Sequence, residues 1–174
     1  MMNMAEKLSI GGLKFSGDLA QVVMTDAHRD AGGRVLLRSL SEQQINVTLL
    51  TWMTDDPSVT MSCCIAMKDA PKVEKLARLD TRLTGRLAFH RNLGTIALFP
   101  HRARMTLLGR ALAVFHDAGI PIFAMASSIS TLTFVTYCRL LEAAATALEP
   151  WLILPEYHTP FMPEFCVRQV SFSR

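Results

Sequence analysis

Two short polar stretches carry residue types that bind small charged molecules. The first, TDAHRDAGG, runs from Thr25 to Gly33 and contains the carboxylates of Asp26 and Asp30. A carboxylate receives an ammonium group, and free amides at the start of a helix receive an anion. An amino acid carries both groups, so it suits the amides of residues 31–33 together with Asp26 or Asp30. Asp30 also fits the role of a simple helix N-cap, and both interpretations stay open.

The second stretch, PHRARMT, runs from Pro100 to Thr106 and is basic rather than acidic. His101, Arg102 and Arg104 would attract an anion if they faced a cavity. Solvated surface side chains explain the same residues, and we favour that interpretation for this stretch.

Catalytic motifs are missing from the sequence. His28 to Asp30 spells the H-R-D of protein kinases, but the asparagine required five residues later is Val35. No G-x-S-x-G, no H-E-x-x-H and no phosphate-binding glycine loop occurs, and the five histidines lack metal-ligand spacing. We therefore expect no enzyme activity, no metal site and no cofactor.

Composition excludes further classes of function. Half of the 174 residues are hydrophobic, so we expect a packed core, but no apolar run approaches the roughly 18 residues of a membrane helix. The net charge of +3 is too small to indicate nucleic-acid binding by itself. The first ten residues lack a basic segment followed by an apolar one, so we expect no secretory signal. The prediction is therefore no membrane and no nucleic acid.

The four cysteines indicate a reducing compartment. Cys63 and Cys64 are neighbours that point to opposite faces of any strand, and Cys138 and Cys166 are far away in sequence. None has the spacing of a metal site, so we expect free, mostly buried thiols and a cytoplasmic location.

An internal repeat organises these stretches. Ile45 aligns with Ile120 at an offset of 75 positions, without a gap, from one apolar strand-like run through a helix-period segment into a second run. In each copy one of the two polar stretches lies between the first run and the helix. Duplication therefore places the two candidate loops at equivalent positions.

The pattern of each copy predicts the element order β-α-β-β-α-β, which is that of the ferredoxin-like unit. The predicted segments are Leu19–Met24, a helix from Asp30, Ile45–Trp52, Val59–Met67, a helix from Asp69 and Arg82–His90, then Gly94–Phe99, Arg104–Ala118, Ile120–Ala126, Leu132–Tyr137, Arg139–Leu148 and Trp151–Leu154. We predict an α+β fold of two such units with antiparallel sheets and helices on one face. The predicted boundaries are 8–91, which includes an extra N-terminal strand, 92–155, and a C-terminal extension of 156–174.

The segments LLRSLSEQQINVTLL and LLGRALAVFHDAGIPIFAMASSISTLTFV resemble ACT domains, in particular the tandem ACT regulatory region of aspartokinases. The resemblance covers about Leu8 to Leu154. It implies effector binding near the first helix of each unit, with Asn46, Trp52 and Thr54 in one copy and three serines in the other. The sequence departs from the family by lacking Pro-Gly at the start of both first helices, and Pro121 and Ile129 replace an asparagine and an acid.

The resemblance implies a non-catalytic regulatory protein that binds an amino acid between ACT units and signals to a partner. The expected assembly is a homodimer, with a catalytic or regulatory protein as the further partner. The alternative is a pure assembly module that has lost its effector site. The expected ligand-binding residues are Asp26, His28, Asp30, Ala31, Gly32, Asn46, Ser127, Ser128 and Ser130.

Overall fold

The computed structural model describes residues 7–26, 31–55, 58–100 and 105–156 of the chain. Within these ranges the elements are, in chain order, β1 Leu8–Ser9, β2 Gly12–Asp26, α1 Ala31–Glu42, β3 Val47–Asp55, β4 Ser58–Ala66, α2 Ala70–Leu79, β5 Leu87–Phe99, α3 Met105–Asp117, β6 Ala124–Ser127, β7 Leu132–Tyr137, α4 Leu141–Leu148 and β8 Leu152–Ile153. Short 3₁₀ turns precede α2 and flank α4. Most of the predicted extension, from residue 157 onward, lies outside the described residues.

The chain divides into two compact units. The first unit is Asp18–Leu93, and the second unit joins the residues before Asp18 to those after Leu93. The sequence prediction had placed residues 8–17 in the first unit, whereas the structure packs them with the second. The physical reason is that Leu8 and Ile10 are buried in the apolar core formed around α3 and α4.

Two long strands, β2 and β5, contribute residues to both units. Asp18 in β2 and Asn92 in β5 have positive φ angles of 52° and 57°, and each lies at a unit boundary. Asp and Asn tolerate this left-handed conformation better than most residues, and a left-handed residue inside a strand is typical of a β-bulge. We interpret both positions as bulges where a strand leaves one unit and enters the other.

Segment ends differ from the prediction in several places. The predicted strand Arg82–His90 begins only at Leu87, because residues 82–86 form a turn, and it continues into the predicted strand Gly94–Phe99 as one strand, β5. The predicted strand from Ile120 begins at Ala124, and Pro121, which has no amide hydrogen to donate to a strand partner, lies just before it.

The first unit has the strand order β3-β4-β2-β5 with α1 and α2 on one face. Leu19 to Asp26 pair antiparallel with Ala66 to Val59. Because successive strand residues point to opposite faces, Val22 and Met24 lie on the same face as each other. Both pack with helix residues such as Leu36 of α1 and Val73 of α2 in a single buried core.

The second unit has the order β2-β5-β7-β6, with α3 and α4 supplying its helices. Phe115 of α3 and Phe134 of β7 meet edge to face at 5.0 Å between ring centroids in its core. The predicted last strand shortens to β8 and pairs in parallel with β1 through Leu8 and Leu152. Because β8 pairs with β1 in a separate sheet, the neighbour of β5 in this unit is β2.

The prediction of two α+β ferredoxin-like units is confirmed at the level of fold class. In both units the first helix ends in the same hydrogen-bonded turn, with Ile45 donating to Leu40 at 2.9 Å and Ile120 donating to Phe115 at 2.8 Å. None of the helices in the described ranges reaches the length and apolar character required to cross a membrane.

Candidate functional site

The start of α1 is the most distinctive local arrangement in the first unit. Gly32 and Gly33 are both buried there. A β-carbon placed on Gly33 would lie 2.7 Å from Cη2 and 2.8 Å from Cζ3 of Trp52, and 3.4 Å from Cε of Met24. The indole therefore lies directly against the first turn of the helix, and only glycine fits beneath it.

Trp52 reaches this position from the end of β3. It pairs with Met61 of β4. Because β2 and β3 both pair antiparallel with β4, they run in the same direction, and the end of β3 lies at the sheet edge from which the chain leaves β2 toward α1. Its side chain is still 40% exposed, so the indole covers Gly33 and remains partly open to solvent. Thr54, two residues further along, is exposed as well.

The electrostatics at this helix start favour an anion. The first turn of α1 contains no acidic side chain, and Arg34 is exposed there. The first amides of a helix have no partner within the helix, and the helix dipole places partial positive charge at this end. The arrangement suits a carboxylate lying beside an aromatic ring.

The predicted acidic partners are only partly visible. Asp26 is the last residue of β2 and Ala31 is the first of α1, so both flank this helix start. His28 and Asp30 lie outside the described residues. Gly32 is in the helix start itself.

Asn46 lies elsewhere in the unit. It is exposed and follows the C-terminal end of α1, whose 12 residues separate it from Gly32 by roughly 16 to 18 Å along the helix axis. The structure therefore does not bring Asn46 together with the amides of residues 31–33 within one unit.

The equivalent helix in the second unit begins differently. By the repeat offset, Leu107 and Leu108 of α3 replace the two glycines of α1, and Ser127 replaces Trp52. Leu107 is buried in the core and Leu108 packs partly against it. The large side chain is thus on the helix in this unit and on the strand in the other.

The predicted serines form the β6–β7 turn. Ser128 Oγ accepts a hydrogen bond from the amide of Thr131 at 3.0 Å, and the Ser128 amide donates to the Thr131 carbonyl at 2.9 Å. Ser127, Ser128 and Ser130 are all exposed. Their observed contacts are local and shape the hairpin.

Sequence reasoning gave Gly33 and Trp52 too little weight. The amides of residues 31–33 enter the predicted site from their own chemistry, whereas Trp52 enters only through the family resemblance. The repeat contained the signal, because Gly33 aligns with a leucine and Trp52 with a serine. A paired exchange of large and small residues indicates that the two side chains occupy neighbouring space.

The neighbouring cysteines of β4 are buried thiols. Burial raises the pKa of Cys63 to about 12 and that of Cys64 to about 11, so both thiols stay protonated near neutral pH. Cys63, Cys64 and Cys138 are free. Among the described residues, no cluster of His, Cys, Asp and Glu is arranged to hold a metal ion.

No protein-family model and no curated protein matches the sequence. Solved structures do match. Aspartokinase alpha and beta subunits give a TM-score of 0.71 at 12% identity, covering 80% of this chain and 96% of that one. The ligand-free regulatory subunit of aspartate kinase from Thermus thermophilus gives 0.70 at 16% identity, covering 82% and 97%.

A longer aspartokinase chain matches over about a third of its length. Aspartokinase III of E. coli, in complex with lysine and aspartate, gives a TM-score of 0.59 at 13% identity, and the match covers 86% of this chain but 34% of the enzyme. At identities this low, the structural match establishes the fold alone. The chain therefore has the tandem ACT-like fold of aspartokinase regulatory regions.

Proposed function

We propose that this chain is a non-catalytic regulatory protein that binds an amino acid at the start of α1 in the first unit. The observation that carries the proposal is the buried Gly32-Gly33 pair with the partly exposed indole of Trp52 across it. The ligand carboxylate would accept hydrogen bonds from the amides of residues 31–33. Asp26, with His28 and Asp30 of the adjoining loop, would receive the ammonium group.

A second copy of the chain is the proposed assembly partner. β3 is an edge strand of the first unit, and its exposed residues include Leu50 and Met53, at 46% and 63%. An edge strand with exposed apolar side chains is a template for pairing with another chain. Such pairing would bring Asn46 of one copy toward the candidate site of the other, and Ser127, Ser128 and Ser130 would belong to the corresponding site of the second unit.

The proposed signal passes to a catalytic chain of the aspartokinase type. Support comes from the solved structures of similar fold, which are named as regulatory subunits of aspartate kinase or contain bound lysine and aspartate. The ligand would favour one arrangement of the assembly, and its effect would be limited by its differential affinity for the two arrangements. Free thiols at Cys63, Cys64 and Cys138 support a cytoplasmic location.

Thermal unfolding of the full chain with each of the common amino acids tests the proposal. A ligand at about 100 times its Kd stabilises the folded state by about 2.7 kcal/mol. We expect at least one amino acid to raise Tm, and we expect Trp52→Leu to abolish that rise. Trp151→Leu, the same change in the second unit, is the matched control and should retain it.

An assembly module without a ligand is the second candidate. The observation that favours it is the second unit, where Leu107 and Leu108 occupy the positions of the glycines and Met105 is 72% exposed. If no amino acid raises Tm at millimolar concentration while the chain sediments as a dimer, the regulatory proposal is wrong and the assembly module is supported.

A further inference from the structure

A separate cavity lies in the first unit, between the C-terminal half of α2 and the segment that leads into β5. Its volume is about 250 Å³. Ala77, Leu83, Leu87 and Phe89 form its apolar lining, and Glu74, Arg78 and Thr84 are polar lining residues. Small-molecule sites typically occupy roughly 300 to 1,000 Å³, so this cavity selects for a small ligand.

Arg78 is the unusual residue of this cavity. Glu74 precedes it by four positions on α2, and a glutamate so placed normally pairs with the following cation. Instead, the Glu74 carboxylate is held by the guanidinium of Arg91 in β5. Among the residues that the structure describes, no carboxylate forms an ion pair with Arg78.

The wall of the cavity is already organised. The Thr84 hydroxyl lies 3.0 Å from the carbonyl oxygens of Ala77 and Asp80, which ties the loop to the end of α2. The amides of Leu83 and Thr84 also donate to the Asp80 carbonyl at 2.9 and 3.0 Å. Leu83 is fully buried, so rearranging the apolar wall would cost packing free energy.

We propose that this cavity binds a small monocarboxylate with an apolar body. Arg78 would hold the carboxylate through two parallel hydrogen bonds, and the apolar body would lie against the half-buried Leu87 and Phe89. The lining combines one guanidinium with apolar side chains, so it suits a single negative charge and disfavours phosphates and dicarboxylates. The inference does not depend on the proposed function, because the start of α1 contributes nothing to this cavity.

Three molecules of similar shape test the inference by calorimetric titration of the full chain. Ketoisocaproate has a carboxylate and an apolar body, L-leucine adds an ammonium group, and isoamylamine lacks the carboxylate. We expect saturable binding of ketoisocaproate or L-leucine and none of isoamylamine. If L-leucine binds more tightly, its ammonium group contacts Glu74 in addition to the carboxylate contact with Arg78. If ketoisocaproate binds more tightly, Arg78 alone recognises the polar end of the ligand. Either result supports the site.

Matched variants locate the binding. Arg78→Gln should weaken it about ten- to a hundredfold, as expected for loss of a charge-assisted hydrogen-bond pair. Arg38→Gln removes an exposed guanidinium from α1 of the same unit and should leave the affinity unchanged. Because ketoisocaproate has no ammonium group for Asp26 or Asp30 to receive, its titration separates this site from the one at α1. Absence of binding by the native chain, equal affinity in Arg78→Gln, or binding of isoamylamine would each overturn the inference.

Discussion

The two units have the same order of elements, but they carry a large side chain at different equivalent positions, on the strand in one unit and on the first helix in the other. At the first helix of the first unit, Gly33 lies under the indole of Trp52. At the equivalent place in the second unit, Leu108 is on the helix and Ser127 is on the strand. The backbone of a duplicated unit thus tolerates moving a large side chain from one element to its neighbour. In the first unit the exchange leaves two buried glycines, Gly32 and Gly33, in the first turn of α1.

The largest expected effect is on the contact between Gly33 and Trp52. Gly33→Ala should destabilise the chain by about 1 to 3 kcal/mol, because the new methyl group would overlap the indole. In a Trp52→Ala background the same change should be neutral or stabilising by up to about 1 kcal/mol, since alanine favours a helix. Urea unfolding of the two single variants and the double variant measures this coupling.

Gly109 in α3 supplies the control for that experiment. A β-carbon there would meet no atom within 4 Å, so Gly109→Ala should stabilise the chain by about 0.5 to 1 kcal/mol. If Gly33→Ala stabilises the chain as Gly109→Ala does, Trp52 does not constrain the helix start.

An intermediate effect is expected where the first helices end. Gln44 and Gly119 occupy equivalent positions with φ angles of 53° and 64°. Gly119→Ala should cost about 1 kcal/mol, because a side chain in this left-handed conformation is strained. Gln44→Gly should remove that strain and stabilise the first unit by a smaller amount. Thermal unfolding in which both changes shift Tm in the same direction would show that the two ends are not equivalent.

The smallest expected effect is on acid stability. Hydrogen bonds from the side chain and the amide of Arg82, together with its charge, lower the pKa of Asp80, at the end of α2, to about 2. The pair therefore stabilises the fold above the ordinary carboxyl pKa near 3.8, and this contribution is lost as pH falls from about 4 through 2. Asp80→Asn should remove this part of the acid dependence in unfolding measured across that range.

The region that follows α4 in the second unit provides the contrast. Arg110 lies over the ring of Trp151 at 4.8 Å from the centroid, and this contact contains no carboxyl group. Trp151→Leu should therefore alter stability without altering its acid dependence. An acid dependence unchanged in Asp80→Asn but altered in Trp151→Leu would contradict this assignment.

Much of the fold followed from local sequence. The repeat at 75 positions, with the strand-like runs and helix-period segments of each copy, predicted the helices, the strands and the helix-covered faces. The candidate site was predicted less completely, because the helix start was recognised while the ring that covers it was not. Asn46 was assigned from family resemblance, and the structure places it at the other end of α1 within its unit.

By itself, the sequence determined the two-unit plan and the ends of its helices, because periodicity and turn chemistry act over a few residues. Only the tertiary structure decided which unit takes the residues before Asp18, and which strand is the neighbour of β5 in the second unit. It also decided that Trp52 covers Gly33. These outcomes depend on hydrogen bonds and packing between residues far apart in the chain, where several pairings satisfy the same local pattern and burial of the whole core selects one.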